Sequence, residues 1–431
     1  MEKIRENVAG IDIGSQKVFV YVEGEEVRSY LTFTEDLEKL RGYLLSKKVG
    51  SVAMEATGVY WVILHEILEE AGLDVWLVDG RQTKQVPGRK TDVKDCQWIQ
   101  QLHSYGLLNR CFVAKADVKE LRSYMRLRGD HIRSASMHIN HMQKALTMMN
   151  IRLKEVLSQI HGASGIAIIQ AILNGERDKH ALLGLCHVSI KKNKSEEILK
   201  SLNGRYTKSG LFALKQAYDA YFFYQNQIAQ CDKEIDNIVN KMGGSGNGQK
   251  LDKPRKPIRH NKPNVEKLGN NLINIFENKD ATVISGITDY TWMQLLSETG
   301  SDLKQWPTEK HFTSWLGVAP GQNNSGKKRW RSRKKGRPAA GQIFRLMAQS
   351  LINSKDIAIG AYGRRIRARK GAPIAIKAMA RKLAVLYWRV MVKGIVYAEL
   401  GVKNYEKQMM EQKLRMFNRL AIELDVQNIE Y

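Results

Sequence analysis

The stretch VAGIDIGSQKVFVYVEGEEVRSYLTFT, residues 8–34, followed by SVAME at residues 51–55, decides the fold. Val8–Ile13, Lys17–Glu23 and Glu26–Thr34 read as three strands joined by short turns at Gly14-Ser15 and Gly24-Glu25. Working outward, the spacing predicts a helix over Glu35–Ser46, a strand at Ser51–Glu55, a helix over Val59–Ala71, a strand at Asp74–Val78 and a helix from Asp92 to Tyr105. Three meandering strands followed by αβαβα is the order of an RNase H-like fold, a mixed sheet with helices on its faces.

That order gives four acids a common address. Asp12 ends the first strand and Glu55 the fourth, and these two strands are neighbours in the predicted sheet. Asp92 and Asp95 open the last helix and, three apart, share one of its faces. Converging carboxylates repel unless cations neutralise them, and oxygen-only ligands suit Mg²⁺ or Mn²⁺. Two such ions can clamp the attacking and leaving oxygens of a phosphodiester. Singly, each acid also reads as a turn former or as a residue favouring a helix N-terminus. The joint placement argues for the site.

After Ala116 the chain turns helical. Val118, Leu121, Met125, Ile132, Ala135, Ile139, Met142, Leu146 and Met149 keep a three-four spacing with Arg128 in one slot. Leu214, Tyr218, Tyr221, Ile228, Ile235, Val239 and Met242 do the same, with polar Gln225 and Asp232 in the seam. Two such runs predict an antiparallel coiled-coil arm or a plain helical bundle, with short helices in 151–205 between them. His131, His138 and His141 on the first run read as a solvated face that contacts nucleic acid, with a metal pair at 138 and 141 as the alternative. Residues 243–264, rich in Gly, Pro and basic side chains, read as a flexible basic linker. Helices are predicted at Asn271–Phe276, Tyr290–Glu298, Phe312–Leu316, Ile374–Val392 and Tyr405–Leu424.

Charge and cysteines bound the partners. The 431 residues carry 69 Lys and Arg against 44 Asp and Glu, a net +25, which makes a polyanion the default partner. From Lys327 to Lys370 fifteen basic residues face a single acid, Asp356. The N-terminus has no apolar signal region, and the most apolar stretch, Leu383–Ala398, is broken by Arg389 and Lys393, so no membrane partner is expected. Cys96, Cys111, Cys186 and Cys231 are scattered, without zinc spacing, which fits a reducing cytosol.

The chain resembles the DEDD-type insertion-sequence transposases, the bridge-RNA-guided serine recombinases that include the pilin-gene invertase. The resemblance rests on GIDIGS at 10–15, MEATGVY at 54–60, GRKTDVKD at 88–95, QQLHSYGLL at 100–108, GIAIIQAILNGERD at 165–178, LFALKQAY at 211–218, WLGVAPG at 315–321, NSGKK at 324–328 and KAMARKLA at 377–384. It implies a RuvC-like catalytic domain at 1–115, a coiled-coil domain at 116–242, a linker at 243–264, a serine-containing transposase domain at 265–400 and a helical tail at 401–431. It maps the family's four metal-binding acids onto Asp12, Glu55, Asp92 and Asp95. Its serine nucleophile follows Leu316-Gly317-Val318-Ala319-Pro320 and maps onto Ser325. It further implies donor and target double-stranded DNA, a noncoding bridge RNA that selects both, a dimer-to-tetramer assembly in which acids and serine come from different protomers, and a cytoplasmic, nucleoid-associated protein of a bacterium or archaeon.

The residues around Ser325 are compatible with that role. A serine hydroxyl is a weak nucleophile unless its proton is taken or the developing charge is stabilised. Lys327, Lys328 and Arg329, with Arg331, Arg333, Lys334, Lys335 and Arg337 beyond them, supply positive charge for a phosphate. Ser332 is the second candidate nucleophile. Trp315 and Trp330 flank the segment as base-stacking or core residues. At Ser285-Gly286-Ile287-Thr288, relatives carry a helix-hairpin-helix-like Pro-Gly-Ile-Gly. Other readings stay open: a metal-only RuvC-like nuclease or junction resolvase with a structural Ser325, an unguided site-specific DNA invertase, and a non-enzymatic nucleic-acid packaging protein.

Overall fold

The computed structural model describes residues 2–83, 92–244, 257–258, 260–320, 323–325, 328–330, 338–394 and 401–423; at 92, 323–325, 328–330, 401–402 and 423 the backbone alone is described. The chain divides into two compact units, Met1–Val113 and Ala114–Tyr431.

In the first unit β1 (Val8–Ile13) buries residues on both faces, as a central strand must. β2 (Lys17–Val22) alternates and buries Val18, Val20 and Val22. β3 (Arg28–Leu31), shorter than the sequence suggests, is a largely exposed edge. α1 (Thr34–Ser46), β4 (Ser51–Glu55), α2 (Trp61–Glu70), β5 (Asp74–Val78), a one-turn α3 (Gly80–Thr83) and α4 (Asp92–Ser104) follow. The strand order is β3-β2-β1-β4-β5, antiparallel through β1 and parallel from β1 to β5. This is the mixed sheet of an RNase H-like fold.

Helices cover both faces of the sheet. α1 and α2 present Leu40, Leu44, Leu64 and Leu68 at helical spacing to one face, all with no exposed surface. Each such side chain stabilises the fold by about 1.5–3 kcal/mol. α4 covers the other face with Ile99 and Leu102. It lies so close to β1 that a Cβ at Gly10 would collide with the Cys96 carbonyl and the Gln100 backbone. The glycine of the GID motif is what lets α4 lie across β1.

The second unit opens with α5 (Ala116–Met148). α6 (Leu153–Val156), α7 (Ala163–Leu173), α8 (Lys179–Gly184) and α9 (Val188–Ser201) are the short helices that precede α10 (Lys208–Gly243). α5 and α10 run antiparallel: Arg128 meets Asp232, and His138 meets Tyr224. Leu146, Met149, Leu214 and Tyr221 belong to the core where α7 packs its Ile168, Ile169 and Ile172. Two of the three polar seam residues, Arg128 and Asp232, form one buried salt bridge, while Gln225 is exposed. Arg128 Nε stands 2.5 Å from Asp232 Oδ1, and the side chains are 2% and 7% exposed. Arg128 also donates to Tyr290 Oη at 3.1 Å and the Asn261 carbonyl at 3.2 Å, while Asp232 accepts from the Asn264 backbone N–H at 3.1 Å. Residues 261–264, the described end of the stretch read as a linker, are therefore tied to this pair.

The solvated reading of the histidines is corrected for two of them. His131 and His138 both pack on Tyr224, with centroids 5.8 and 5.6 Å away, and only His141 stays exposed. The helical pair uses their rings as packing surface.

The remainder is helical: α11 (Leu268–Ile275), α12 (Asp289–Thr299), α13 (Glu309–Trp315), the hairpin β6 (Asn323–Ser325) and β7 (Lys328–Trp330), α14 (Ala339–Leu351), α15 (Ala358–Lys370), α16 (Ala372–Lys393) and α17 (Gly401–Glu423). Trp292, Phe312, Phe344 and Tyr387 are fully buried among these helices. α14 and α15 lie inside the basic stretch, which the sequence reading leaves without helices. Ala340, Phe344, Met347 and Ala348 give α14 an apolar face. α15 instead buries small residues, and a Cβ at Gly363 would collide with Met379 of α16. Where relatives are expected to carry the last glycine of the hairpin turn, Thr288 instead caps α12 by accepting from the Thr291 N–H.

Candidate active site

β1 and β4 pair in parallel with Ile11 opposite Met54, so Asp12 and Glu55 occupy the next position on each strand, at the C-terminal end of the sheet. Both are half-buried. Asp12, two residues beyond Gly10, emerges on the face that α4 covers. Asp95 sits in the first turn of α4, also half-buried. The thiol of Cys96 feels both acids: burial above all, then the Asp12 carboxylate, and more weakly Asp95, push it up to about 12. Asp92 is the first residue of α4, and its side chain lies outside the described residues.

Three residues that sequence reasoning missed hold this end of the sheet. Thr83 Oγ1 donates to Glu55 Oε2 at 2.7 Å. Gly80 leaves the room that the Glu55 carboxylate occupies, since a Cβ there would run into it. Trp98 of α4 donates from Nε1 to the Thr83 carbonyl at 3.1 Å, linking the helix of Asp95 to the turn that holds Glu55. The signal lay in Asp79-Gly80-Arg81-Gln82-Thr83, directly after a strand. Asp79 starts that turn by accepting from the Arg81 N–H at 3.0 Å.

The donor set is hard oxygen throughout, which fits Mg²⁺ or Mn²⁺ in chemistry. Among the described residues no three Asp, Glu, His or Cys side chains stand close enough to hold one ion. Asp92 is not among those side chains.

The second predicted centre is built on α13. Thr308 caps its start, and Gly317, at φ 66°, ends it in the left-handed region that favours glycine. The Thr313 carbonyl accepts from both Val318 and Ala319 N–H at 3.1 Å. Arg345 of α14 donates to the Gly317 carbonyl at 3.0 Å, and Gly341 of α14 fits under the Leu316 carbonyl where a Cβ would collide. The Leu-Gly-x-x-Pro segment is thus a helix stop clamped by α14. The hairpin follows it, with Ser325 in register with Lys328 and Asn324 with Arg329. Gly326, Lys327, Arg331, Ser332, Arg333, Lys334, Lys335 and Arg337 lie outside the described residues. Trp315 packs tilted against Trp306 at 4.7 Å and stacks with Phe312 at 6.3 Å, so it serves packing.

Part of the charge of the basic stretch is structural. Arg345 holds Gly317, Arg364 donates to the Ser354 carbonyl, and Arg367 donates to Asn353 at 3.0 Å. Arg365 lies over the Tyr405 ring at 5.7 Å and joins α15 to α17.

An Asp and a Glu at adjacent strand ends of an RNase H-like sheet, with an acid on the covering helix, form the arrangement expected of a carboxylate enzyme of nucleic-acid processing. Comparison with known families sharpens the class. Residues 9–151 match the DEDD transposase model of IS110, and residues 280–363 match the transposase model of the IS116/IS110/IS902 family. The two regions take in just over half of the chain, which belongs to the IS110 family of DEDD transposases, DNA transposases of insertion sequences. No match was found among curated proteins. DNA is therefore its substrate, and members of this class typically use a divalent metal. Among the described residues no helix is long and apolar enough to cross a membrane.

Proposed function

We propose that the chain cuts and rejoins donor and target DNA through Ser325 as nucleophile and a four-acid centre of Asp12, Glu55, Asp92 and Asp95, under guidance of a bridge RNA. The observation that carries the acid half is the β1–β4 register, which sets Asp12 beside Glu55 beneath α4. A divalent cation held by these carboxylates would offset their repulsion and draw charge from a phosphodiester oxygen.

Ser325 Oγ attacks phosphorus. The Oγ–P bond forms as the P–O bond to the departing deoxyribose oxygen breaks, that oxygen takes up a proton, and the serine proton leaves. The phosphoserine bond conserves the energy of the broken linkage. A hydroxyl of the incoming strand then reverses the exchange and releases Ser325. Lys327, Lys328 and Arg329 hold the attacked phosphate, and Arg331, Arg333, Lys334, Lys335 and Arg337 extend the basic track along the backbone. Phosphate contacts of this kind give affinity without sequence choice, which supports leaving that choice to base pairing with an RNA. The antiparallel α5–α10 pair acts as a coiled-coil arm for assembly into a dimer or tetramer.

Ser325→Ala is expected to abolish both strand exchange and the covalent protein–DNA adduct trapped on denaturing gels. An adduct that survives the substitution sinks the serine assignment and moves attention to Ser332. Cleavage without any adduct in the unaltered protein would instead favour a metal-only nuclease. Full activity in EDTA refutes a metal-dependent acid centre.

A further inference from the structure

Beside the Arg128–Asp232 pair a cleft of about 650 Å³ opens between α5, α10 and the segments 159–161 and 260–262. Its walls are of two kinds. Ile139 and Ile228, both half-buried, and the buried ring of Tyr221 give it apolar surface. Gln225, Asn261 and Lys262, all exposed, give it a polar edge. His161 lines the same cleft, and its Nδ1 is buried without a hydrogen-bond partner. A buried polar atom of that kind is costly unless something fills its valence.

A simple anion is a poor occupant: the charge of Arg128 is already cancelled by Asp232 at 2.5 Å, and an ion held at Lys262 would leave the apolar walls unused. A purely apolar ligand would strand the amides and the imidazole. A paired duplex is too wide for a cavity of this volume. Flat, apolar faces with hydrogen-bonding edges and one adjoining phosphate are the properties of a single nucleotide. Amide side chains read base edges, rings stack on base faces, and a lysine meets the phosphate.

We propose that this cleft receives one unstacked nucleotide of the nucleic acid on which the transposase acts. The cost of extruding a base is smallest where the base is unpaired, so bulges and single-stranded joints are the natural donors. Because Arg128 also bonds Tyr290 and Asn261, the captured nucleotide sits beside the junction of α5, α10 and α12. The inference depends on the nucleic-acid substrate and not on the serine reading. The test measures binding, and either can fail alone.

The probes are oligonucleotide hairpins with one bulged 5-iodouracil, and matched hairpins without the bulge, each in deoxyribose and ribose form. With the full-length protein, the bulge is expected to tighten binding about tenfold in at least one sugar form. Photo-crosslinks should map by mass spectrometry to residues 159–161, 221–228 or 260–262. Whichever form shows the preference identifies the strand as DNA or RNA. Gln225→Ala and His161→Ala should erase the preference while the matched hairpin binds as before, and a circular-dichroism melt checks that both fold. No bulge preference in either form, crosslinks only elsewhere, or a preference that survives both substitutions in folded protein would overturn the proposal.

Discussion

The two halves of the proposed chemistry rest on opposite kinds of scaffold. Asp12 and Glu55 end adjacent central strands of a five-stranded sheet, packed on both faces. Ser325 ends a three-residue strand of a two-stranded hairpin. A two-stranded ladder contributes little stability by itself, and what α14 holds is the Leu316-Gly317 stop that precedes the hairpin in sequence. Carboxylates that must converge need a frame stiff enough to resist their repulsion. A nucleophile that meets its partner only with DNA in place does not.

If the frame matters as argued, the largest effect comes from Gly10→Val, which touches neither centre chemically. Its side chain would strike the backbone of α4 at Cys96 and Gln100, where no rotamer relieves the clash. We expect loss of more than about 4 kcal/mol and of all strand transfer, read by thermal melting and a transposition assay. A folded, active Gly10→Val protein would show that α4 need not lie across β1.

Next is the buried pair of the second unit. Arg128→Ala leaves Asp232 charged and buried, at a cost of about 3–5 kcal/mol in urea unfolding. Arg128→Met combined with Asp232→Leu removes both charges and should recover most of that loss. If the double variant is as unstable as the single one, the bonds to Tyr290 and Asn261 outweigh the ion pair.

A pH test separates the units. His103 of α4 is fully buried, with Nε2 2.8 Å from Ser51 Oγ, and burial followed by the Arg5 charge lowers its pKa from 6.5 to about 4. A folded pKa below the unfolded one means that the unfolded chain binds the extra proton first. Stability is therefore full above pH 6.5 and falls as the pH drops towards 4, by on the order of 3 kcal/mol. His103→Gln should flatten that slope in urea titrations at pH 7 and 4.5. An unchanged slope would assign the acid sensitivity to other groups.

How legible each region was follows from the same contrast. Alternating valines and the 10–15 motif carried strand order, and strand order carried Asp12 and Glu55, because register is a backbone property. Arg128 and Asp232 stood out as polar residues in an apolar seam, but their pairing needs the two helices aligned. α14 and α15 were hidden because basic residues dilute an apolar face that is short in one helix and, apart from Ile359, made of glycine and alanine in the other. Thr83 and Gly80 were illegible for a further reason. They act on Glu55 across 28 and 25 positions of chain, through a turn of only four residues.

Thr83 provides the smallest and most specific test. Its hydroxyl donates to Glu55 Oε2 at 2.7 Å, and its carbonyl accepts from Trp98 of α4. Thr83→Val keeps shape and backbone and removes the hydroxyl, whose shorter bond is to the carboxylate and whose longer one, at 3.1 Å, is to the Gly80 carbonyl within the same turn. A hydrogen bond to a charged group is worth about 1.5–3 kcal/mol, so strand transfer should slow by roughly tenfold or more with little change in melting temperature. Thr83→Ser, which keeps the hydroxyl, should restore most of the rate. If Glu55 is a metal ligand, the valine variant should also need more Mg²⁺ for half-maximal activity, a shift that a merely structural threonine would not produce. An unchanged metal requirement together with an unchanged rate would mean that Glu55 is positioned by the sheet alone, and would make the strand register sufficient for that acid.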